Sequence, residues 1–247
     1  MLLDEKVAIV TGASRGIGRD IAKAFAQQGA MVALNYTKNQ EAAEDTRDEI
    51  IKGGDKAFLV QADVSLEQDV QSMMQRIIEK YGRVDVLVNN AGITMDNILM
   101  NMSVEQWDGV MATNLRGPFL CTKHVIRKMM RQRAGKIINV SSISGVLGNA
   151  GQANYAASKA GLIGLTKAIA QEYGAKGITA NVIAPGLVDT NMSRRVPESV
   201  MNQKLEEVLL KRPGSTSEIA SVAVFLASTL SDYINGELIR VDGGIRF

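Results

Sequence analysis

Seven short runs of apolar and β-branched residues, separated by longer stretches of helical period, restrict the fold of this chain more than any other feature. They are Val7–Thr11, Met31–Tyr36, Ala57–Gln61, Val84–Asn89, Lys136–Ser141, Thr179–Ala184 and Glu237–Val241. Between them the periodicity predicts helices over Gly16–Gln28, Gln40–Lys52, Leu66–Tyr81, Val104–Gln132 with a break near Thr113–Gly117, Ala153–Tyr173 and Ser217–Ser228. Strands that alternate with helices are expected to run parallel, because each helix carries the chain back to the edge where the previous strand began. The prediction is an α/β fold: a doubly wound, seven-stranded parallel sheet flanked by helices. In such sheets ligands bind outside the carboxyl ends of the strands, so the residues found there carry the functional reading.

A hydrophobic share of 46% and a charged share of 22% are those of an ordinary globular protein with a full core. No linker-like tract, repeat or composition shift divides the 247 residues, and one domain spanning 1–247 is expected. The first residues lack the basic and apolar regions of a signal peptide, and no apolar stretch is long enough to cross a bilayer. A cytoplasmic location without membrane contact is therefore expected. Cys121 is the only cysteine, which excludes an intrachain disulfide and reads as a small core residue. His124 is the only histidine and has no carboxylate cluster at ligand spacing, so no metal is expected. A formal charge of +2 and sparse aromatics argue against nucleic acid.

The first strand leads into Thr11-Gly12-Ala13-Ser14-Arg15-Gly16-Ile17-Gly18. Three glycines at the start of a helix let backbone amides approach a pyrophosphate, which the helix dipole also favours. The expected fold is thus of Rossmann type, although the spacing G-x-x-x-G-x-G departs from the common dinucleotide fingerprint. A free ribose 2′-hydroxyl is usually met by an acid near the end of the second strand. Here that stretch reads Leu34-Asn35-Tyr36-Thr37-Lys38-Asn39, with no acid. Arg15 and Lys38 could instead attract a 2′-phosphate, which favours NADP(H) over NAD(H). For Lys38 a solvated surface charge is the plain alternative.

Tyr155 and Lys159 stand four residues apart on a predicted helix, which puts a phenol and an ammonium on one face. To exchange protons readily at neutral pH the phenol must fall from a pKa of ~10 to ~7, a differential of ~4 kcal/mol. An ammonium ~6 Å away at an effective dielectric of ~20 supplies ~3 kcal/mol. The spacing therefore predicts that Lys159 depresses the Tyr155 pKa, with a positively charged nicotinamide ring supplying the remainder.

Together with Asn89-Asn90-Ala91-Gly92 after the fourth strand and Ser141-Ser142 after the fifth, these motifs resemble the short-chain dehydrogenase/reductase superfamily over about Lys6 to Gly244. The runs 90–97 and 148–155, with Ala184-Pro185-Gly186, are most similar to its bacterial 3-oxoacyl-[acyl-carrier-protein] reductases. That resemblance implies a catalytic set of Asn114, Ser142, Tyr155 and Lys159. Tyr155 would give a proton to the ketone oxygen, Ser142 would hydrogen-bond the same oxygen, Lys159 would tune Tyr155 and hold the nicotinamide ribose, and Asn114 would hold a water leading to bulk. Ser141 competes for the serine role, because neighbours on a strand point to opposite sides, and the family spacing to tyrosine selects Ser142. It also implies cofactor contacts at Gly12, Ser14, Arg15, Gly16, Ile17 and Gly18, at Thr37, at Asp63 and Val64 for the adenine, and at Asn90, Ala91 and Gly92. Pro185, Gly186, Val188 and Thr190 would wrap the nicotinamide amide.

The polar segment from Asp189 to Lys204, with Met192, Met201, Arg194 and Arg195, reads as a lid whose methionines suit an acyl chain and whose arginines suit a phosphate-bearing arm. Packing of a surface helix explains the methionines equally well. A basic cluster of Arg127, Lys128, Arg131, Arg133 and Lys136 could dock an acidic carrier protein, or could simply be solvated. Surplus apolar residues on Leu115–Met130 and Ala156–Tyr173 point to self-assembly, and the family implies a homotetramer. The expected function is NADPH-dependent reduction of a 3-oxoacyl thioester, linked to acyl carrier protein, in fatty acid biosynthesis. The alternatives are acetoacetyl-coenzyme A, a sugar or another secondary alcohol as substrate, and a non-catalytic nucleotide sensor or scaffold.

Overall fold

The computed structural model describes residues 1–190 and 198–245. Their seven strands form one sheet in the order β3-β2-β1-β4-β5-β6-β7, every neighbouring pair parallel. The strands are β1 (Val7–Val10), β2 (Met31–Tyr36), β3 (Lys56–Gln61), β4 (Val86–Asn89), β5 (Gly135–Val140), β6 (Ile178–Pro185) and β7 (Leu238–Val241). The helices of eight or more residues are α1 (Gly16–Gln27), α2 (Gln40–Lys52), α3 (Glu67–Tyr81), α4 (Val104–Met111), α5 (Gly117–Gln132), α7 (Ala153–Tyr173), α8 (Glu198–Glu207) and α9 (Thr216–Ala227); α6 (Ser144–Leu147) is a single turn. All seven expected strands are present, with ends shifted by one or two residues.

Strand alternation divides the interior into two layers. Ala8, Val10, Val32, Leu34, Val86, Val88, Ile138 and Val140 face α1 and α9, where Ile21, Phe25, Ile219 and Leu226 close the core. Val7, Ile9, Ala33, Leu87 and Ile137 face the other way, onto Val70, Met73 and Ile77 of α3 and Val125 and Met129 of α5. Cys121 sits in this second layer, fully buried, and desolvation pushes its thiol up to about 12, as a core residue requires. Strand order reverses between β1 and β4, which opens the crevice where this class of sheet holds ligands.

The break expected near Thr113–Gly117 is a π-helical turn over Ala112–Arg116 that joins α4 to α5. One helix was not anticipated, the single turn α6, which is too short to leave a periodic signal. Helix α8 overlaps the end of the stretch read as a lid and accords with its alternative reading as a surface helix. Of that stretch, Met192, Arg194 and Arg195 lie outside the described residues, and Met201 is half-buried on α8. Among the described residues no helix is long and apolar enough to cross a membrane.

Candidate active site and cofactor crevice

The carboxyl ends of β1, β4, β5 and β6 converge on one crevice. At its base a hydrogen-bond frame holds the glycine turn. The Thr11 hydroxyl accepts from the amides of Asn90 and Ala91, both at 3.0 Å. The Asn90 side-chain amide donates to the Thr11 carbonyl at 2.9 Å and the Gly12 carbonyl at 3.2 Å. From the other side the Gly12 amide donates to Asn35 Oδ1 at 3.3 Å, while Asn35 Nδ2 reaches the carbonyls of Val60 and Ala62 on β3 and just beyond it. Gly12 has φ +64°, and a Cβ there would stand 2.9 Å from Ala91 Cα, so the turn has room for glycine alone. Thr11 and Asn35 were not singled out from sequence; a buried asparagine in the middle of an apolar strand was the available signal.

Helix α1 begins at Gly16 with no acid in its first turn and with exposed Arg15 at its cap position, while Asp20, Asp45, Asp48, Glu49 and Asp189 line the cleft beside it. Ser14, Arg15, Gly16, Asp189 and Thr190 line a cleft of about 590 Å³, which brings the end of the Pro185–Thr190 stretch beside the glycine turn. Thr37 and Lys38 are exposed at the end of β2; the Thr37 hydroxyl donates to the Ala62 carbonyl at 3.2 Å. Asp63 Oδ1 accepts from the Ser65 amide and hydroxyl at 2.9 and 2.7 Å, and Val64 is buried against Gly117. The Ile143 amide donates to the Pro185 carbonyl at 2.9 Å and the Gly186 amide to the Val241 carbonyl at 3.0 Å, while Val188 is buried. The glycine turn and the start of α1 together fit the pyrophosphate of a dinucleotide.

The four expected catalytic residues come from three elements and meet at one place. Tyr155 and Lys159 lie on the first turns of α7, Ser142 follows β5, and Asn114 occupies the π-helical turn. Lys159 Nζ is 5.6 Å from the Tyr155 ring centre. It is buried and donates to the Val140 carbonyl at 2.8 Å, and desolvation lowers its pKa to about 8. The Ser142 hydroxyl accepts from the Ser144 amide at 3.1 Å, and its nearness favours the ionised form of the Tyr155 phenol. Gly92 abuts both groups: a Cβ there would lie 3.4 Å from Asn114 Oδ1 and 3.5 Å from Lys159 Nζ.

One expectation needs correction. The Tyr155 pKa is raised, not depressed: burial dominates, the Ser142 hydrogen bond opposes it, and the Asp96 carboxylate adds to the rise. The sequence argument counted a charge pair and omitted desolvation, which acts on phenol and ammonium alike. The Asn114 side chain is engaged through both of its polar atoms. Its Oδ1 accepts from the Ile93 amide at 2.9 Å, and its Nδ2 donates to the Ile93 carbonyl at 3.0 Å and to Ser158 Oγ at 3.2 Å. The Ser158 hydroxyl in turn donates to the Tyr155 carbonyl at 2.7 Å. Asn154, fully buried, was missed as well. Its Nδ2 donates to the carbonyls of Met95 and Gln106, and its Oδ1 accepts the Tyr155 amide at 2.7 Å.

Outside the crevice, His124 lies 3.3 Å from the Glu67 carboxylate, and no group of three metal-ligating side chains occurs among the described residues. The basic cluster stands at the opposite edge of the sheet. Arg127 to Arg133 end α5, and Lys136, at the start of β5, pairs with Asp232 at 2.6 Å. Six residues of extended chain separate Lys136 from Ser142, about 20 Å.

A family model described as enoyl-(acyl carrier protein) reductase matches residues 12–246. The chain belongs to the short-chain dehydrogenase/reductase family. Within that family of oxidoreductases it is 48% identical over 240 residues to the 3-oxoacyl-[acyl-carrier-protein] reductase FabG of Staphylococcus epidermidis, covering 97% of this chain and 98% of the relative. It is 47% identical over 247 residues to the protein of the same name from Chlamydia muridarum, covering 99% and 98%. The 3-oxoacyl-[acyl-carrier-protein] reductase of Synechocystis sp. is 44% identical over 244 residues, covering 98% of each. Among solved structures of similar fold is a putative gluconate dehydrogenase from Agrobacterium tumefaciens, with a TM-score of 0.95, 34% identity and coverage of 98% and 96%.

Proposed function

We propose that this short-chain oxidoreductase uses NADPH to reduce 3-oxoacyl thioesters, carried by acyl carrier protein, to 3-hydroxyacyl thioesters in fatty acid biosynthesis. The observation that carries this reading is the buried Lys159 beside Tyr155, with Ser142 following the strand β5 that packs against them. The relatives named for that reaction, 44–48% identical along nearly the whole chain, support the choice of substrate. When bound, the nicotinamide cofactor supplies the hydride.

The chain's own residues account for the rest. Ser142 and Tyr155 offer two hydroxyls to the ketone oxygen, where negative charge develops, and Tyr155 delivers the proton. A phenol held protonated by burial suits a donor in the reducing direction. Lys159 keeps a positive charge close to that phenol. Asn114 ties Ile93 and Ser158 into the wall that carries Tyr155. Gly12, Ser14, Gly16, Ile17 and Gly18 would hold the pyrophosphate, Arg15 and Thr37 the 2′-phosphate, Asp63 and Val64 the adenine, and Asn90, Ala91 and Gly92 the ribose side of the crevice. Pro185, Gly186, Val188 and Thr190 would hold the nicotinamide amide.

Assembly of four copies of this single domain is part of the proposal. An apolar groove of about 910 Å³ opens between α4, α5 and α7, lined by Met111, Leu115, Phe119, Gly161 and Leu165, and Phe119 is exposed there. A second copy would cover it. The basic cluster lies about 20 Å along the strand from Ser142 in its own chain, so a carrier docked there would stand well away from the reacting ketone. A cytoplasmic setting accords with the absence, among the described residues, of any membrane-crossing helix.

The test is initial-rate NADPH oxidation with acetoacetyl-coenzyme A and with a 3-oxoacyl carrier protein, beside NADH and a Tyr155→Phe control. Tyrosine-dependent turnover that prefers NADPH and the carrier-linked ketone is expected. Faster turnover of a 2-enoyl thioester would favour the chemistry named in the family description, and oxidation of a polyol would favour that of the gluconate dehydrogenase relative. Tight NADPH binding with no turnover of any of these would leave a nucleotide sensor.

A further inference from the structure

Lys159 is clasped at both ends by two consecutive residues of one strand end. Its Nζ donates to the Val140 carbonyl at 2.8 Å, and its main-chain carbonyl accepts the Ser141 hydroxyl, also at 2.8 Å. Ser141 is 3% exposed, and its hydroxyl is spent on α7. Its amide donates to the Ile183 carbonyl at 2.8 Å, which anchors it to β6.

A carbonyl inside a helix is already served by the amide four residues on. The Ser141 hydroxyl is therefore a second donor, and what it adds is a tie from helix to strand. That tie falls at the residue where small displacements matter most, since a lysine side chain has four rotatable bonds and its ammonium must lie beside Tyr155. Neighbouring contacts restrict the same point. A Cβ on Gly145 would lie 2.7 Å from Lys159 C and Cβ, so α6 closes down on this turn. Two turns further along α7, the Thr166 hydroxyl accepts from Asn139 Nδ2 at 2.7 Å. Residues 139, 140 and 141 thus bond α7 in succession.

We propose that Ser141 is a positioning residue of the reductase, which sets the Lys159 backbone so that the ammonium stays beside Tyr155. This inference rests on the proposed role of Tyr155 and Lys159. In the holoenzyme, Ser141→Ala is expected to lower kcat about tenfold, as a small misplacement of a catalytic group does, with thermal stability close to that of the parent. Ser141→Thr, which keeps the hydroxyl on a strand-favouring residue, is expected to restore the rate, and Ser141→Cys, of similar size but a poor donor, to behave like alanine. In a Lys159→Met background, single-turnover rates should be the same with serine or alanine at 141. The proposal is overturned if Ser141→Ala and Ser141→Cys turn over like the parent. It is equally overturned if the loss is as large without the lysine, which would make Ser141 a packing residue. A Tyr155→Phe enzyme that still reduces ketones would instead remove the reading on which the inference stands.

Discussion

Gly18 and Asn90 are packed so closely that a Cβ on the glycine would fall 2.4 Å from the asparagine Nδ2 and 2.4 Å from the Gly12 carbonyl oxygen. The contact joins the start of α1 to the turn after β4. Gly18→Ala must therefore push Asn90 off the glycine turn or tilt the helix away. The expected result is an NADPH dissociation constant raised about tenfold or more, ~1.4 kcal/mol, measured by quenching of protein fluorescence. Unchanged affinity would mean that the frame yields without cost.

Arg15 is exposed at the head of α1 with no acid in the helix's first turn. Arg15→Ala is expected to weaken NADPH binding by about tenfold, within the range for a charge-assisted hydrogen bond, and to leave NADH binding nearly unchanged. Equal losses for the two cofactors would place Arg15 on the shared pyrophosphate instead.

Asn114 satisfies both main-chain polar groups of Ile93 and reaches Ser158. Asn114→Ala strands these groups in a fully buried place, which costs about 2–3 kcal/mol. A urea midpoint shifted by that amount, together with reduced turnover, is the expected outcome. Lost turnover with an unchanged midpoint would mean that the side chain serves catalysis without supporting the π-helical turn.

Lys159 has a folded pKa of about 8 against 10.5 for the free group, because burial disfavours its charge. Below pH 8 both states hold the proton, and the folded protein bears the whole penalty, about 3 kcal/mol. Between pH 8 and 10.5 the unfolded chain binds more protons, so this residue's contribution to stability rises with pH. The difference between the parent and Lys159→Met, followed by chemical denaturation, should grow in the parent's favour across that window and be flat below it. A flat difference at every pH would mean that Lys159 titrates normally. The same proton predicts a fall in kcat/KM above pH 8 in the parent.

Much of this protein was determined by local pattern. The β-branched runs, the glycine turn at Gly12 to Gly18 and the Tyr155–Lys159 spacing all lie within short windows, where backbone periodicity and special conformations are written into residue type. Even the interruption near Asn114 was legible, as the π-helical turn. Tertiary structure alone decided the rest, because those properties join residues far apart in the chain. Asn35 under the glycine turn, Asn154 between Met95 and Tyr155, and Ser141 on the Lys159 carbonyl are side chains whose partners no periodicity reveals. The sense of the Tyr155 shift belongs with them. Four-residue spacing predicts attraction to an ammonium, whereas packing removes the water that would stabilise the phenolate, and that burial dominates the shift.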